Sequence, residues 1–196
     1  MVFAVYESWE EFMLNHYGTE RLILRKFRYS DTKDMLKYWI SDPKVQHMYS
    51  EPVYSTENEV KKLLEKYIMN YERKDYYRWA IIHRQENICI GQIAFFLVDN
   101  KNHFAEIEYC VGKDFQGNGL ATEATRALLD FGFQKVNFHR IQICHKEYNL
   151  ASKAVILKCG FKFEGGLRDF FFMEDTYVTR MYYSLLKNEW NVSDKL

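Results

Sequence analysis

The 196-residue chain sits at the upper end of one typical domain, and 47% hydrophobic residues with 17% aromatic are ample for a sizeable core. Lys and Arg number 27 against 27 Asp and Glu, so the formal charge is zero and the global attraction on which most nucleic-acid and anionic-membrane binders rely is missing. The four cysteines, Cys89, Cys110, Cys144 and Cys159, lie far apart with no Cys-x-x-Cys pair and no histidine cluster, a pattern of free buried thiols rather than of zinc.

The first residues turn acidic too early for a secretory signal, and no apolar run approaches the roughly 20 residues of a membrane span, so a cytoplasmic location is expected. Trp9, Phe12, Met13 and Tyr17 fall at near-helical intervals. They predict an amphipathic extension over residues 1–18 that packs on the domain or on a dimer partner, leaving 19–190 as one domain and 191–196 as a tail. Residues 21–25 read as a first strand. Ser30-Asp31 is expected to cap a helix with Met35, Leu36 and Trp39 inward, ending before Asp42-Pro43, where another short turn of helix begins. Thr56 and Glu59 have the spacing of a capping box and open a helix through Val60, Leu63, Leu64, Tyr67, Ile68 and Tyr71. Residues 79–83, 88–97 and 103–111 alternate as three strands of an antiparallel meander.

Residues 106–133 then read as strand, glycine turn and helix. Asp114 to Gly119 turns the chain, and Leu120, Ala124, Leu128 and Phe131 fall close to one helix face. A helix N-terminus has unpaired N–H groups and the positive end of the peptide dipoles, and Gly117 and Gly119 allow those groups to approach a phosphate. Neither the Lys-Ser/Thr of a triphosphate loop nor a third glycine at dinucleotide spacing is present. The six residues alone suit an ordinary strand-to-helix turn equally well.

Farther on, residues 140–144 alternate as a strand. Asn149 is a good N-cap for a helix predicted to turn Leu150, Ala154 and Leu157 inward, and Gly160 stands where that helix would end. Residues 161–163 and 177–185 supply the last two strands, with Gly165-Gly166 read as the turn between them. Phe170 to Met173 reads as an acceptor-site wall, a loop against a dimer partner, or a core edge.

Several linked stretches resemble the GNAT superfamily of acyl-CoA-dependent N-acetyltransferases: Ala105-Glu106-Ile107-Glu108-Tyr109, Gln116-x-x-Gly119-x-Ala121, Ala121-Thr122-Glu123-Ala124, Asn149-Leu150-Ala151-Ser152 and Cys159-Gly160-Phe161. The likeness is strongest over residues 105–165 and points to the subgroup containing the ribosomal-protein N-terminal acetyltransferases. It implies an α/β (α+β) fold, a single domain with a mixed, mostly antiparallel sheet of about seven strands flanked by helices. It also implies acetyl-CoA as cosubstrate without a metal, and a primary amine as acceptor, either a protein N-terminus or a small molecule.

By the same resemblance, the main chain of Tyr109, Cys110 and Val111 faces the pantetheine and acetyl group, one N–H there serving as oxyanion donor. The pyrophosphate rests on Gln116, Gly117, Asn118, Gly119, Leu120 and Ala121, and Asn149 contacts the pantetheine. Glu106 matches the position of the carboxylate that takes the amine's proton. Glu108, two residues on and so on the same strand face, is assigned to binding the substrate. The subgroup's Asn-x-x-Ser pattern puts the hydroxyl of Ser152, taken as catalytic residue, near the thioester sulfur; because Ile156 stands where the wider superfamily often has a tyrosine acid, Ser152, water or another tyrosine is left to protonate the thiolate. Paired acids on a strand are otherwise simply its solvent face, and Asn149 and Ser152 are otherwise a cap and a helical residue. That isoleucine also supports a rival reading, a non-catalytic acyl-CoA-binding or regulatory module, which thiol release in the presence of amines would distinguish.

Overall fold

A computed structural model describes residues 17–190. The eight strands are β1 (Tyr17–Gly18), β2 (Leu22–Arg25), β3 (Tyr77–His83), β4 (Ile88–Asp99), β5 (Phe104–Val111), β6 (Arg140–Lys146), β7 (Lys162–Met173) and β8 (Thr176–Leu186). The five α-helices are α1 (Thr32–Tyr38), α2 (Pro43–Tyr49), α3 (Glu57–Asn70), α4 (Leu120–Phe131) and α5 (Leu150–Lys158). One sheet runs in the order β1-β2-β3-β4-β5-β6-β8-β7. Every neighbouring pair is antiparallel except β5 with β6, which are parallel. That exception requires a crossover, and α4 supplies it. The expected fold class is thus borne out, with β1 as a two-residue addition to the seven longer strands.

The strands bury side chains on both faces. Leu22, Leu24, Trp79, Ile81, Ile107 and Ile143 pack under α4 and α5, joined by Leu120, Ala124, Leu128 and Phe131 from α4. Ala80, Ile82, Cys89 and Cys110 face the other way, onto Met35, Trp39, Val60 and Leu64. Period-two alternation across one strand therefore feeds two cores.

Local signals hold where side chains satisfy helix ends. The Asp42 carboxylate accepts from Lys44 N at 2.8 Å, and Thr56 and Glu59 form the capping box, with Thr56 N donating to the Glu59 carboxylate at 2.9 Å. Asp31 differs from expectation. Its carboxylate turns back to take both terminal nitrogens of the Arg25 guanidinium, at 2.7 and 2.8 Å, and Arg28 N at 2.8 Å, so it ties β2 to the turn and leaves α1 without a side-chain cap.

Three other expectations change. In α5 the buried residue is Ile156, with Ser152 and Val155 half-buried and Cys159 buried just beyond, whereas Leu150 and Leu157 are exposed. The helix is apolar on most sides, so spacing alone did not choose its inner face. Gly165-Gly166 lies inside β7 at a register shift, and the turn is made by Glu174 and Asp175, both left-handed at φ 48° and 59°. Phe170 to Met173 consequently belongs to strand β7, with Phe170 and Phe172 exposed and Phe171 half-buried. Of the N-terminal helix expected over 1–18, residues 1–16 lie outside the described residues, while Tyr17 and Gly18 pair with Leu24 and Ile23 as a strand.

Candidate active site

Parallel pairing of β5 with β6 runs from Phe104 and Arg140 to Ile107 and Ile143, and there it stops. Both strands continue, β5 to Val111 and β6 to Lys146, so they part and leave a notch through the sheet. Each outer edge is held by another partner: β5 pairs with β4 up to Val111 opposite Gly91, and β6 with β8 up to Lys146 opposite Arg180. Gly91 permits that hold, because a Cβ there would lie 2.1 Å from the Cys110 carbonyl oxygen. The notch belongs to a cleft of about 800 Å³, walled by residues 107–111 of β5, residues 143–146 of β6, the turn before α4, one side of α5, and α2 with the two residues after it.

At the mouth, Gly117 and Gly119 adopt left-handed φ of 79° and 80°, which only glycine reaches without strain. Gly119 is the N-cap of α4 and supplies no side chain to its first N–H groups, which are left for a ligand. Gln116, Gly117, Gly119, Leu120 and Ala121 line the cleft; Asn118 does not. The Gln116 amide donates to the Val111 carbonyl at 2.8 Å, so it braces the turn against the end of β5. Arg21 also stands here, donating to the Asn118 carbonyl at 2.9 Å and held by the Glu123 carboxylate at 2.7 Å.

The wall on the α5 side carries Tyr109, Asn149 and Ser152. Asn149 caps α5 by accepting from Ser152 N at 3.1 Å, and the Tyr109 hydroxyl lies 3.0 Å from Ser152 Oγ. Ile156, one turn further on, has no exposed surface. Cys110 and Cys144 line the notch as well, but burial raises both thiols, Cys144 to about 11 and Cys110 above that, so neither is a thiolate near neutral pH.

The two carboxylates of β5 have different surroundings. Glu106 is 1% exposed and is not part of the cleft wall; its Oε1 accepts from Arg180 at 2.5 Å and its Oε2 from Gln142 at 2.7 Å. Arg180, which does line the cleft, is sandwiched against Phe170 and Tyr182, 4.7 and 4.6 Å from the ring centres. Glu108 faces the cleft, with Oε1 accepting from Arg78 at 2.5 Å, while Arg78 also donates to Gln92. Beside Glu108 lie Tyr49, whose hydroxyl burial pushes well up, and Glu51, whose carboxyl is raised first by restricted solvent access and then by the Glu108 charge. Lys146, 2% exposed, reaches from β6 to the end of α2 and donates to the His47 and Met48 carbonyls at 2.5 and 2.9 Å. His145 is occupied by the Lys146 carbonyl at 2.6 Å and the Tyr183 hydroxyl at 3.3 Å.

The structure thus brings the turn, the β5 main chain, Asn149 and Ser152 together at one cleft, as the sequence order suggests. Sequence reasoning missed Arg21, Arg78, Lys146 and Arg180. Each of these is a single cation whose meaning depends on a partner 30 to 102 positions away in the chain, and no local pattern marks it.

The family model described as an acetyltransferase (GNAT) domain matches residues 21–162. The chain is 31% identical over 176 residues to an uncharacterized N-acetyltransferase, YnaD, of Bacillus subtilis, covering 90% of this chain and 99% of that one. Its fold matches the crystal structure of a GNAT-family acetyltransferase from Bacillus anthracis with a TM-score of 0.77 at 29% identity, over 89% of this chain and 99% of that one. Two more distant structures share the fold. Spermidine N-acetyltransferase from Vibrio cholerae, solved with CoA and spermine, has a TM-score of 0.75 at 22% identity over 87% and 98% of the chains. RimL, a ribosomal L7/L12 α-N-protein acetyltransferase solved with coenzyme A, has a TM-score of 0.77 at 20% identity over 87% and 97%.

Proposed function

Because this chain belongs to the GNAT acetyltransferase family, we propose that its notch binds acetyl-CoA and transfers the acetyl group directly to a primary amine. The single observation that carries this is the parting of β5 and β6 after Ile107 and Ile143, directly beside the uncapped, glycine-led start of α4. An extended arm of amide groups pairs along the free edge of β5 as a further strand would, and its pyrophosphate meets the N–H groups after Gly119. A main-chain N–H among Tyr109, Cys110 and Val111 then polarises the thioester carbonyl. These residues fit acetyl-CoA by shape, through the splayed edge and the open helix start.

The amine attacks the thioester carbon itself. Cys110 and Cys144 stay protonated at neutral pH, which favours direct attack over an acyl-cysteine. For the amine's proton, the surroundings favour Glu108 over Glu106: Glu108 lies on the cleft wall, and both oxygens of Glu106 are engaged behind it. Glu106 then acts through Arg180, holding that guanidinium in the wall. Glu108 and Glu51 together make an acidic approach suited to a cationic amine, either the α-amine of a protein or a polyamine-type molecule. Support for both classes comes from RimL and the spermidine enzyme, whose names carry those acceptors.

The rival, a binding module without turnover, rests on Ile156, which is core and offers the cleft no polar atom. Thiol release from acetyl-CoA across a panel of peptide α-amines, polyamines and lysine analogues separates the two readings. Amine-dependent release is expected, whereas tight acetyl-CoA binding with no release on any amine would establish the rival.

A further inference from the structure

Resting on the acetyl-transfer reading, we propose that Tyr109 is a positioning residue that directs the Ser152 hydroxyl proton at the leaving sulfur. A phenol carries one proton to donate, and a buried one must find an acceptor. Among the described residues the hydroxyl oxygen of Tyr109 has one recorded partner, Ser152 Oγ at 3.0 Å. Burial raises the Tyr109 pKa above its ordinary value, more than the Ser152 contact lowers it, so the phenol keeps its proton. Either hydroxyl can donate across that 3.0 Å contact; in the proposed arrangement the phenol donates and the serine accepts. The Ser152 O–H is therefore released from that pair and left to donate elsewhere.

The open direction is the cleft. Ser152 and Tyr109 both line it, on the side where α5 faces the notch. The backbone N–H of Ser152 is already held by the Asn149 side chain at 3.1 Å, which fixes the first turn of α5 and with it the serine Cβ. Backbone and side chain of Ser152 are thus set by two different elements, α5 through its cap and β5 through Tyr109. The next inward residue of the helix, Ile156, carries no polar atom to share the task.

In the transfer step the amine nitrogen bonds to the thioester carbon, the carbon–sulfur bond breaks, and its electron pair goes to sulfur. The Ser152 O–H donates to that sulfur as negative charge develops. When the proton passes to sulfur, the serine oxygen takes one back from cleft water, and the amine's own proton leaves through its base to water. Tyr109 keeps its proton throughout. Its contribution is to hold the serine in the donating orientation, so it acts only through Ser152.

A double-mutant cycle tests this. Wild type, Tyr109→Phe, Ser152→Ala and the double variant are compared for kcat on the best amine and for acetyl-CoA affinity by calorimetry. Tyr109→Phe keeps the ring and is expected to lower kcat by roughly 3- to 10-fold, the worth of one oriented hydrogen bond, with affinity unchanged. Ser152→Ala should lower kcat further, and adding Tyr109→Phe to it should cost nothing more. Wild-type kcat in Tyr109→Phe, an equal loss in both backgrounds, or a fall in affinity that accounts for the loss would each overturn the inference while leaving acetyl transfer intact. A wild type that releases no thiol with any amine would instead overturn the acetyl-transfer reading, and this inference with it.

Discussion

Glu106 and Glu108 share a strand face and a residue type, yet their partners separate them. Replacing one member of a buried ion pair leaves the other charge unsatisfied, at a typical cost of about 3 kcal/mol or more. Glu106→Gln, facing Arg180, should therefore fold less stably, seen as a lowered melting temperature, while the chemical step survives in the folded fraction. Glu108→Gln also takes the partner from a mostly buried guanidinium, Arg78, and should melt lower too, but it alone should lose about 10²- to 10⁴-fold in rate at neutral pH on a lysine-type amine, recovering in part as pH rises and the amine loses its own proton. Pairs of melting curves and pH–rate profiles read both effects. A stable but slow Glu106→Gln together with an active Glu108→Gln would return the base to Glu106.

At the scale of elements, two features shape the cleft around the notch, and each can be tested. The first is the turn into α4. Gly119→Glu places a side chain at φ 80° and a negative charge at the helix start, so acetyl-CoA affinity should fall by roughly tenfold or more. Gly119→Ala separates the backbone strain from the charge. Unchanged calorimetric affinity in a folded Gly119→Glu would remove the turn from the cofactor site. The second feature is Lys146, whose ammonium pins the last carbonyls of α2, the wall beside Glu51. Burial lowers this lysine to about 8, against 10.5 for the unperturbed group. Between those values the unfolded chain binds more protons than the folded one, so stability attributable to Lys146 rises with pH there and is flat below about 8. The melting temperature of wild type relative to Lys146→Met should increase from about pH 7 to about pH 10. A constant difference would mean that Lys146 titrates normally.

These elements also show what was legible in the sequence and what was not. The strand, glycine turn and helix over residues 104–131, the capping residues Asp42, Thr56 and Asn149, and the meander were readable because each is set by interactions within a few residues. The inner face of α5 was not, since apolar residues surround that helix and only the sheet beneath decides which of them is buried. Nor was the β7–β8 turn, where Glu174 and Asp175 take left-handed φ while the more turn-like Gly165 and Gly166 sit within the strand. At the site, the sequence supplied the main-chain scaffold of residues 109–121 in order, because that part is contiguous. The division of labour between Glu106 and Glu108 was hidden, because Arg180 and Arg78 reach them from other strands.

Among the described residues, one sheet supports two cores, and its only parallel pair is the pair that opens. The two sides of that opening differ in character. In the proposed reading Tyr109, Asn149 and Ser152 face the cofactor arm and Glu108 and Glu51 face the acceptor, so that the two substrates meet in the notch from opposite faces of the sheet. In direct transfer the acetyl group passes straight from sulfur to amine with no stop on the protein. Mass spectrometry of one reaction mixture tests this most directly, following intact protein, amine and released thiol together in the presence of acetyl-CoA. The expected result is one acetylated amine for each thiol released and no mass added to the protein when the amine is withheld; an acetyl group found on the protein before the amine is added, or thiol release without acetylated amine, would contradict it.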